Sequence, residues 1–182
     1  IIKKIITVCE TDYKRGLKYK ICRKNKLVCI HNGMPFYPKK IKEINENKKV
    51  IKLISIARFQ DQKDHFTLLK GLSLVKKISW RIILIGNGPL KKQVLSYAKE
   101  LGIAKKINII KSTTNTKKYL DASDIFLLIS NWEGFPRSIL EALRSSMPII
   151  ASNVGGVHES VKKDFNGFLI QPNDANKIAF AI

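Results

Sequence analysis

The sequence predicts an α/β fold, a parallel sheet covered by helices on both faces. Three observations carry this. Short β-branched runs recur along the chain, longer segments of helical pattern fill the gaps, and the runs are apolar at consecutive rather than alternate positions. A strand apolar on both faces needs a layer on each side, and a strand–helix alternation supplies both layers through parallel crossovers.

Taken in order, residues 3–9 and 26–30 read as strands with a helical 12–21 between them, one βαβ piece. Residues 32–49 are polar and carry Pro35, Pro38, Asn45 and Asn47, a composition that breaks periodic structure. The organisation expected is therefore 1–33 as the end of a preceding domain, 34–49 as an interdomain linker and 50–182 as a second domain. Within the last, 50–57, Trp80–Ile85, 106–110, 124–130, 148–152 and Gly167–Ile170 read as strands. Residues 65–76, 90–101, 116–122 and 137–145 read as helices, with a short turn at 158–162 and Pro89 as a first helical residue. The chain starts at Ile1 rather than a methionine, and 173–182 reads as a helix interrupted after two or three turns, so it is expected to be part of a longer protein.

The 182 residues, 45% of them hydrophobic, suffice for one full domain and part of another. The formal charge of +20 suits a nucleic acid, a membrane surface or an anionic substrate. Much of it comes as lysine pairs scattered among Ile and Asn, as a compositional bias on solvated faces would also give. Cys9, Cys22 and Cys29 are odd in number, lack CxxC spacing and sit in apolar stretches, which predicts buried thiols in a reducing compartment. No apolar run approaches the ~18 residues of a membrane-spanning helix.

In a parallel sheet, ligands lie at the carboxyl ends of the strands, so the loops there carry the chemistry. Asn131-Trp132-Glu133-Gly134-Phe135-Pro136 follows one strand and leads into a helix bearing Glu141. Glu133 and Glu141 suit sugar and ribose hydroxyls, Gly134 lets backbone approach a ligand, and a helix start offers N–H donors. Spacing alone fits equally a Glu133 that caps the helix and a Glu141 that is merely exposed. Arg58 and Lys63, after the strand at 50–57, suit a diphosphate: a guanidinium gives bidentate contacts and an ammonium a mobile charge. Gly155 and Gly156 can form an N–H-lined nest or a tight turn. Gly86 and Gly88 make a Gly-x-Gly-Pro turn without the third glycine of a dinucleotide fingerprint. His31, His65 and His158 show no ligand spacing and no Asp-x-Asp pair is present, so no metal is expected.

In this order the pieces resemble the retaining GT-B glycosyltransferases of family 4, the group 1 glycosyltransferases. The resemblance runs from about Leu53 to Ile170, through Arg58-x4-Lys63, Gly86-x-Gly88-Pro89, Glu133-x7-Glu141 and Gly155-Gly156-x-x-Glu159. Ile30-His31-Asn32-Gly33 is similar to the end of that family's acceptor-side domain. The resemblance implies one Rossmann-like half of a GT-B fold, with 1–33 left from the acceptor-side domain and 50–182 binding the nucleotide-sugar donor. It implies Arg58, Lys63 and Glu133 as the catalytic set. Donor contacts would come from Glu141, Gly134, Phe135, Pro136, Gly86, Gly88, Lys111, Gly155 and Gly156. It further implies no cofactor and no metal, a UDP-linked hexose or N-acetylhexosamine as donor, and a glycan or lipid-linked acceptor in bacterial surface polysaccharide biosynthesis. The matching location is the cytoplasm, with the basic faces against an anionic membrane. Ala57, Lys111 and His158 depart from the family's usual Gly, Gly and Pro.

Two other classes remain open at this point. One is another GT-B activity, such as a nucleotide-sugar epimerase or a phosphorylase-like glucan enzyme. The other is a basic nucleic-acid-binding module, against which stand the lack of an RNA-stacking motif and aromatic residues expected to be mostly buried.

Overall fold

The apolar runs become strands because two helical layers cover them. The computed structural model describes residues 2–35 and 49–182; most of the expected linker, residues 36–48, lies outside the described residues. The chain opens with β1 (Ile5–Thr7), α1 (Glu10–Lys18) and β2 (Leu27–Cys29), whose strands pair in parallel with Ile5 opposite Leu27. There follow β3 (Ile51–Ile56), α2 (His65–Leu74), β4 (Trp80–Ile85), α3 (Lys91–Glu100), β5 (Ile107–Ile110) and α4 (Thr116–Asp121). The chain continues through β6 (Ile125–Leu128), α5 (Arg137–Arg144), β7 (Ile149–Ser152), α6 (Val157–Ser160), β8 (Gly167–Ile170) and α7 (Ala175–Ala181).

Six of these strands form one parallel sheet in the order β5-β4-β3-β6-β7-β8. This is the expected architecture. Successive strand residues point to opposite faces, so each strand feeds two cores. Leu53, Ile82, Leu84, Leu127 and Ile150 pack under α2, α3 and α7 with Leu68, Leu72, Val94 and Ile178. Ile54, Ile85, Phe126, Leu128 and Ile149 pack on the opposite face with Leu120, Ile139, Ala142 and Val157. Each Leu, Ile, Val or Phe among them contributes about 1.5–3 kcal/mol on burial. The order reverses between β3 and β6: β4 and β5 build outward on one side, β7 and β8 on the other. A crevice opens at such a switch point, above the carboxyl ends of the strands.

The differences from the sequence reading have local causes. The strand expected to reach residue 130 leaves the ladder after Leu128, because Ile129 O accepts from Asp64 N at 3.0 Å and Asn131 N donates to Gln62 O at 2.9 Å. Helix α3 starts at Lys91, two residues past Pro89. Leu90 N instead donates to Phe59 O at 3.0 Å, tying that turn to the loop after β3. Helix α1 starts two residues before the expected 12, and its first amides find an acceptor far away in the sequence.

Of the cysteines only Cys9 is buried, which corrects the expectation of three buried thiols: Cys29 is half-buried because β1 and β2 make a two-stranded sheet too small to cover both faces, and Cys22 is half-buried in the bend after α1. Burial pushes the Cys9 thiol up to about 11. The aromatic residues divide as well. Phe59, Trp80 and Phe126 are fully buried, whereas Trp132, Phe165 and Phe180 are exposed, which corrects the expectation that most are buried. No helix among the described residues is long and apolar enough to cross a membrane.

Candidate active site

The loops after β3 and β6 flank the switch point, and hydrogen bonds lace them together. Asp64 accepts from Thr67 N at 2.9 Å as the N-cap of α2, while its own N–H reaches Ile129 O. Asn131 Nδ2 donates to Asp61 O at 2.7 Å and Gln62 Nε2 to Trp132 O at 2.9 Å. This lacing brings Lys63 to Glu133, and the two side chains form an ion pair.

Glu133 is 8% exposed and takes a second donor, the Ser130 hydroxyl, at 2.7 Å from Oε1. Ser130 is in turn held by Ser152, whose Oγ accepts from Ser130 N at 3.0 Å. A carboxylate at this depth needs such partners. The reading of Glu133 as a helix cap does not hold: the N-cap of α5 is Pro136 and no side chain caps it. His65 fixes the other end of the loop. Its Nδ1 lies 2.8 Å from Lys63 O and its ring stacks on Phe59, with centroids 4.4 Å apart. Burial pushes its pKa below the ordinary 6.5, which favours the neutral ring, and because the Lys63 carbonyl can only accept, Nδ1 carries the proton between them.

Beside this pair lies a cleft of about 590 Å³, lined by Arg58, Lys63, Gly86, Asn87, Gly88, Ser112 and Thr113. These residues come from the carboxyl ends of β3, β4 and β5, and the volume is in the range of small-molecule sites. Arg58 is exposed there. The glycines permit two loops to cross: a Cβ at Gly86 would stand 2.0 Å from Ala57 O, and one at Gly88 2.3 Å from Phe59 O. On the neighbouring side Glu141, the fifth residue of α5, accepts from the Thr116 hydroxyl at 2.8 Å.

The segment Gly134–Pro136 touches the first βαβ unit. A Cβ at Gly134 would meet Val8 Cγ2 at 3.4 Å and Asp12 Oδ2 at 3.5 Å, so this bare face looks toward α1. Phe135 O accepts from Asn32 Nδ2 at 3.0 Å and its ring packs on His31, centroids 4.7 Å apart. Gly156 N donates to Gly134 O at 2.9 Å. Gly155 has φ +54°, and a Cβ there would lie 1.7 Å from Glu133 O. The glycine pair therefore clasps the Glu133–Gly134 backbone, and the Gly156 N–H is engaged within the protein. Lys111 is exposed just before Ser112 and is not among the residues lining the cleft.

The structure thus lines one crevice with Arg58, Lys63, Gly86 and Gly88; Glu133 is buried behind it and tied to it through its ion pair with Lys63, and Glu141 lies on a neighbouring side. Sequence reading missed Gln62, Ser130, Thr116, Ser112 and Thr113. Ser112, Thr113 and Ser130 closely follow a strand end and lay within reach of the strand-end rule, whereas Gln62 and Thr116 lie farther along their loops, and each looks like an ordinary polar loop residue. Among the described residues no group of three or more His, Cys, Asp or Glu could hold a metal ion.

Comparison with known proteins gives the lineage. The family model described as glycosyl transferases group 1 matches residues 36–182. The chain is 29% identical over 178 residues to an uncharacterised glycosyltransferase of Haemophilus influenzae, covering 96% of this chain and 49% of that protein. It is 35% identical over 101 residues to the UDP-Gal:alpha-D-GlcNAc-diphosphoundecaprenol alpha-1,3-galactosyltransferase of Escherichia coli, covering 55% and 26%. The solved structure of Anabaena HepE in complex with UDP superposes with a TM-score of 0.83 at 20% identity, over 98% of this chain and 52% of that one. The apo lipopolysaccharide outer core galactosyltransferase WaaB gives 0.84 at 20%, over 98% and 51%. The chain spans about half the length of the Haemophilus protein and of these structures, and its sheet is the Rossmann-like half of a GT-B glycosyltransferase. The matched residues, more than half of the sequence, place this chain in the group 1 glycosyltransferases.

Proposed function

We propose that the chain is the donor-binding half of a retaining family 4 hexosyltransferase. It moves a hexose or N-acetylhexosamine from a nucleotide diphosphate, with UDP favoured, to a glycan or lipid-linked acceptor. The observation that carries this reading is that Arg58 and Lys63 line the switch-point cleft while Glu133 pairs with Lys63 beside it. Arg58 and Lys63 supply the cationic charge a diphosphate leaving group needs, in place of a metal or any cofactor. Glu133 and the Gly134–Pro136 backbone meet the transferred sugar, and Glu141 accepts the ribose hydroxyls. Gly86 and Gly88 let the phosphates approach, Lys111 stands beside the base, and Gly155 and Gly156 hold the sugar loop. In the reaction the bond from the anomeric carbon to the phosphate oxygen breaks and its electron pair leaves on the diphosphate. The acceptor oxygen bonds to the same face, and its proton passes to the departing phosphate.

The E. coli relative's printed name supports a UDP donor and a lipid-linked acceptor, and the HepE structure's UDP supports the base. Residues 1–33 are assigned to the acceptor-side domain and 34–49 to the linker. The protein works in the cytoplasm, with its +20 charge drawing it to an anionic membrane surface. The test is a titration by ligand-observed NMR with UDP, GDP, ADP and UDP-sugars, repeated on Glu141→Gln and on the Arg58→Ala/Lys63→Ala double variant. Selective binding of UDP, weakened at least tenfold by both changes, is expected. A folded full-length protein that bound no nucleotide would overturn the reading.

A further inference from the structure

Helix α1 has no cap of its own. Its N-cap residue is Cys9, whose side chain makes no capping bond, so the first amides must find acceptors elsewhere. They find Glu159, at the end of the Gly155–Glu159 segment and 149 residues from Glu10. Glu10 N donates to Oε2 at 2.9 Å and Thr11 N to Oε1 at 3.0 Å. The Thr11 hydroxyl lies 3.1 Å from both Glu159 Oε1 and Gly155 O, one proton shared between two acceptors. His31 Nε2, from the end of the first unit, lies 2.7 Å from Oε2. Two separate segments of that unit therefore converge on a single carboxylate of the other, whose side chain is only 12% exposed. Anionic caps suit a helix N-terminus, where unpaired N–H groups and the helix dipole both favour negative charge.

The partners of this carboxylate lead to the sugar loop. His31 packs on the Phe135 ring and its neighbour Asn32 bonds Phe135 O. Gly155, touched by Thr11, lies against Glu133 O, and Gly156 holds Gly134 O. Resting on the reading of 133–136 as the sugar-contacting loop, we propose that Glu159 is a positioning residue. It docks α1 and His31 of the first unit onto the donor-binding half and thereby sets the Glu133–Pro136 backbone for transfer. It touches no reacting atom. Its partners are the Glu10 and Thr11 amides, the Thr11 hydroxyl and one imidazole, so the carboxylate geometry and not charge alone is required.

The test uses full-length protein carrying Glu159→Ala, Glu159→Gln or His31→Ala, with cooperative thermal unfolding as the check on folding. Amide hydrogen exchange at Glu10 and Thr11 is measured beside UDP affinity and steady-state transfer. Glu159→Ala is expected to speed exchange at both amides at least tenfold and to lower kcat at least tenfold, with UDP affinity changed less than threefold. Glu159→Gln, keeping one carbonyl acceptor, falls between. A merely structural role would lower the unfolding temperature and leave kcat of the folded protein unchanged. Unchanged exchange overturns the docking contact, and faster exchange with kcat within twofold of wild type overturns the positioning role. If Glu159→Ala does not fold, Glu159→Gln and His31→Ala decide by the same criteria. A wild-type protein that binds no nucleotide fails the functional reading instead, and the exchange measurement still reports whether Glu159 holds α1.

Discussion

Lys63 and Glu133 are ion-paired across the switch point of the sheet, joining the loop after β3 to the loop after β6. Their side chains are 13% and 5% exposed, so each charge depends on the other for its solvation. Removing one partner of such a pair strands the other, at a cost of about 3 kcal/mol. Lys63→Ala is therefore expected to destabilise the fold by about this amount, leaving Glu133 with the Ser130 hydroxyl as its principal donor. The Lys63→Ala/Glu133→Gln double variant should recover at least ~1 kcal/mol of it. Denaturant unfolding of the four proteins closes the cycle, and additive losses would show that the pair is not coupled in solution.

Thr116 and Glu141 offer a separate handle on nucleotide binding. The Thr116 hydroxyl donates to Glu141 Oε2, which fixes the carboxylate without touching the cleft residues. Thr116→Val keeps the shape and removes the donor, and a lost hydrogen bond of this kind to a charged group is worth about 1.5–3 kcal/mol. Part of that should appear as weaker UDP binding, about three- to tenfold, because the freed carboxylate samples other rotamers. Calorimetric titration with UDP checks this. Equal affinities would separate Glu141 from the nucleotide.

How much of this was legible in the sequence depends on the range of the interaction. β3 and β4 and the helices after them follow from local runs, and the strand-end loops pointed directly to Arg58, Glu133 and Gly86. Strand ends were less legible: residues 129 and 130 look like a continuation of β6, and only the bonds from Asp64 and to Gln62 on either side take them out of the ladder. Least legible was Glu159. The sequence shows it only as the last position of a Gly-Gly-x-x-Glu loop, while its function depends on amides 148 and 149 residues away and on a helix whose own N-cap is silent. Serines 130 and 152 were hidden for the same reason, since a buried hydroxyl reveals itself only through its partner.

The acid response of Glu159 follows from the same contacts. Burial alone would raise its pKa. The bonds from His31, from the Glu10 and Thr11 amides and from the Thr11 hydroxyl outweigh this and hold it at about 2, against an ordinary 4.5. A carboxylate depressed on folding stabilises fully above its unfolded value and loses that contribution as pH falls through the folded one. Wild type should therefore exceed Glu159→Gln in denaturation midpoint by its full margin at pH 5, with the margin shrinking between pH 4.5 and about 2. His31, Glu10 and Asp12 also face this region, so the Glu159→Gln reference, which keeps them all, isolates the one group. A margin independent of pH over that window would show that Glu159 is not held this way.

Gly71 tests the packing of α7 onto the sheet's helical layer. In an exposed helix, alanine in place of glycine stabilises by about 0.5–1 kcal/mol through the entropy of the unfolded chain. Here a Cβ at position 71 in α2 would stand 2.7 Å from Ile178 Cβ and 2.9 Å from Ala175 O, both in α7. Neither can yield by a rotamer change, since the Ile178 Cβ is fixed by its own backbone and the Ala175 carbonyl is backbone, so the helices must separate. Overpacking of this kind costs about 1–3 kcal/mol, more than the entropic gain. Gly71→Ala is expected to lower stability, and to do so in an Ile178→Ala background as well, because alanine keeps the Cβ in contact. Urea midpoints decide it: a stabilised Gly71→Ala would mean that α7 sits farther from α2 than these distances require.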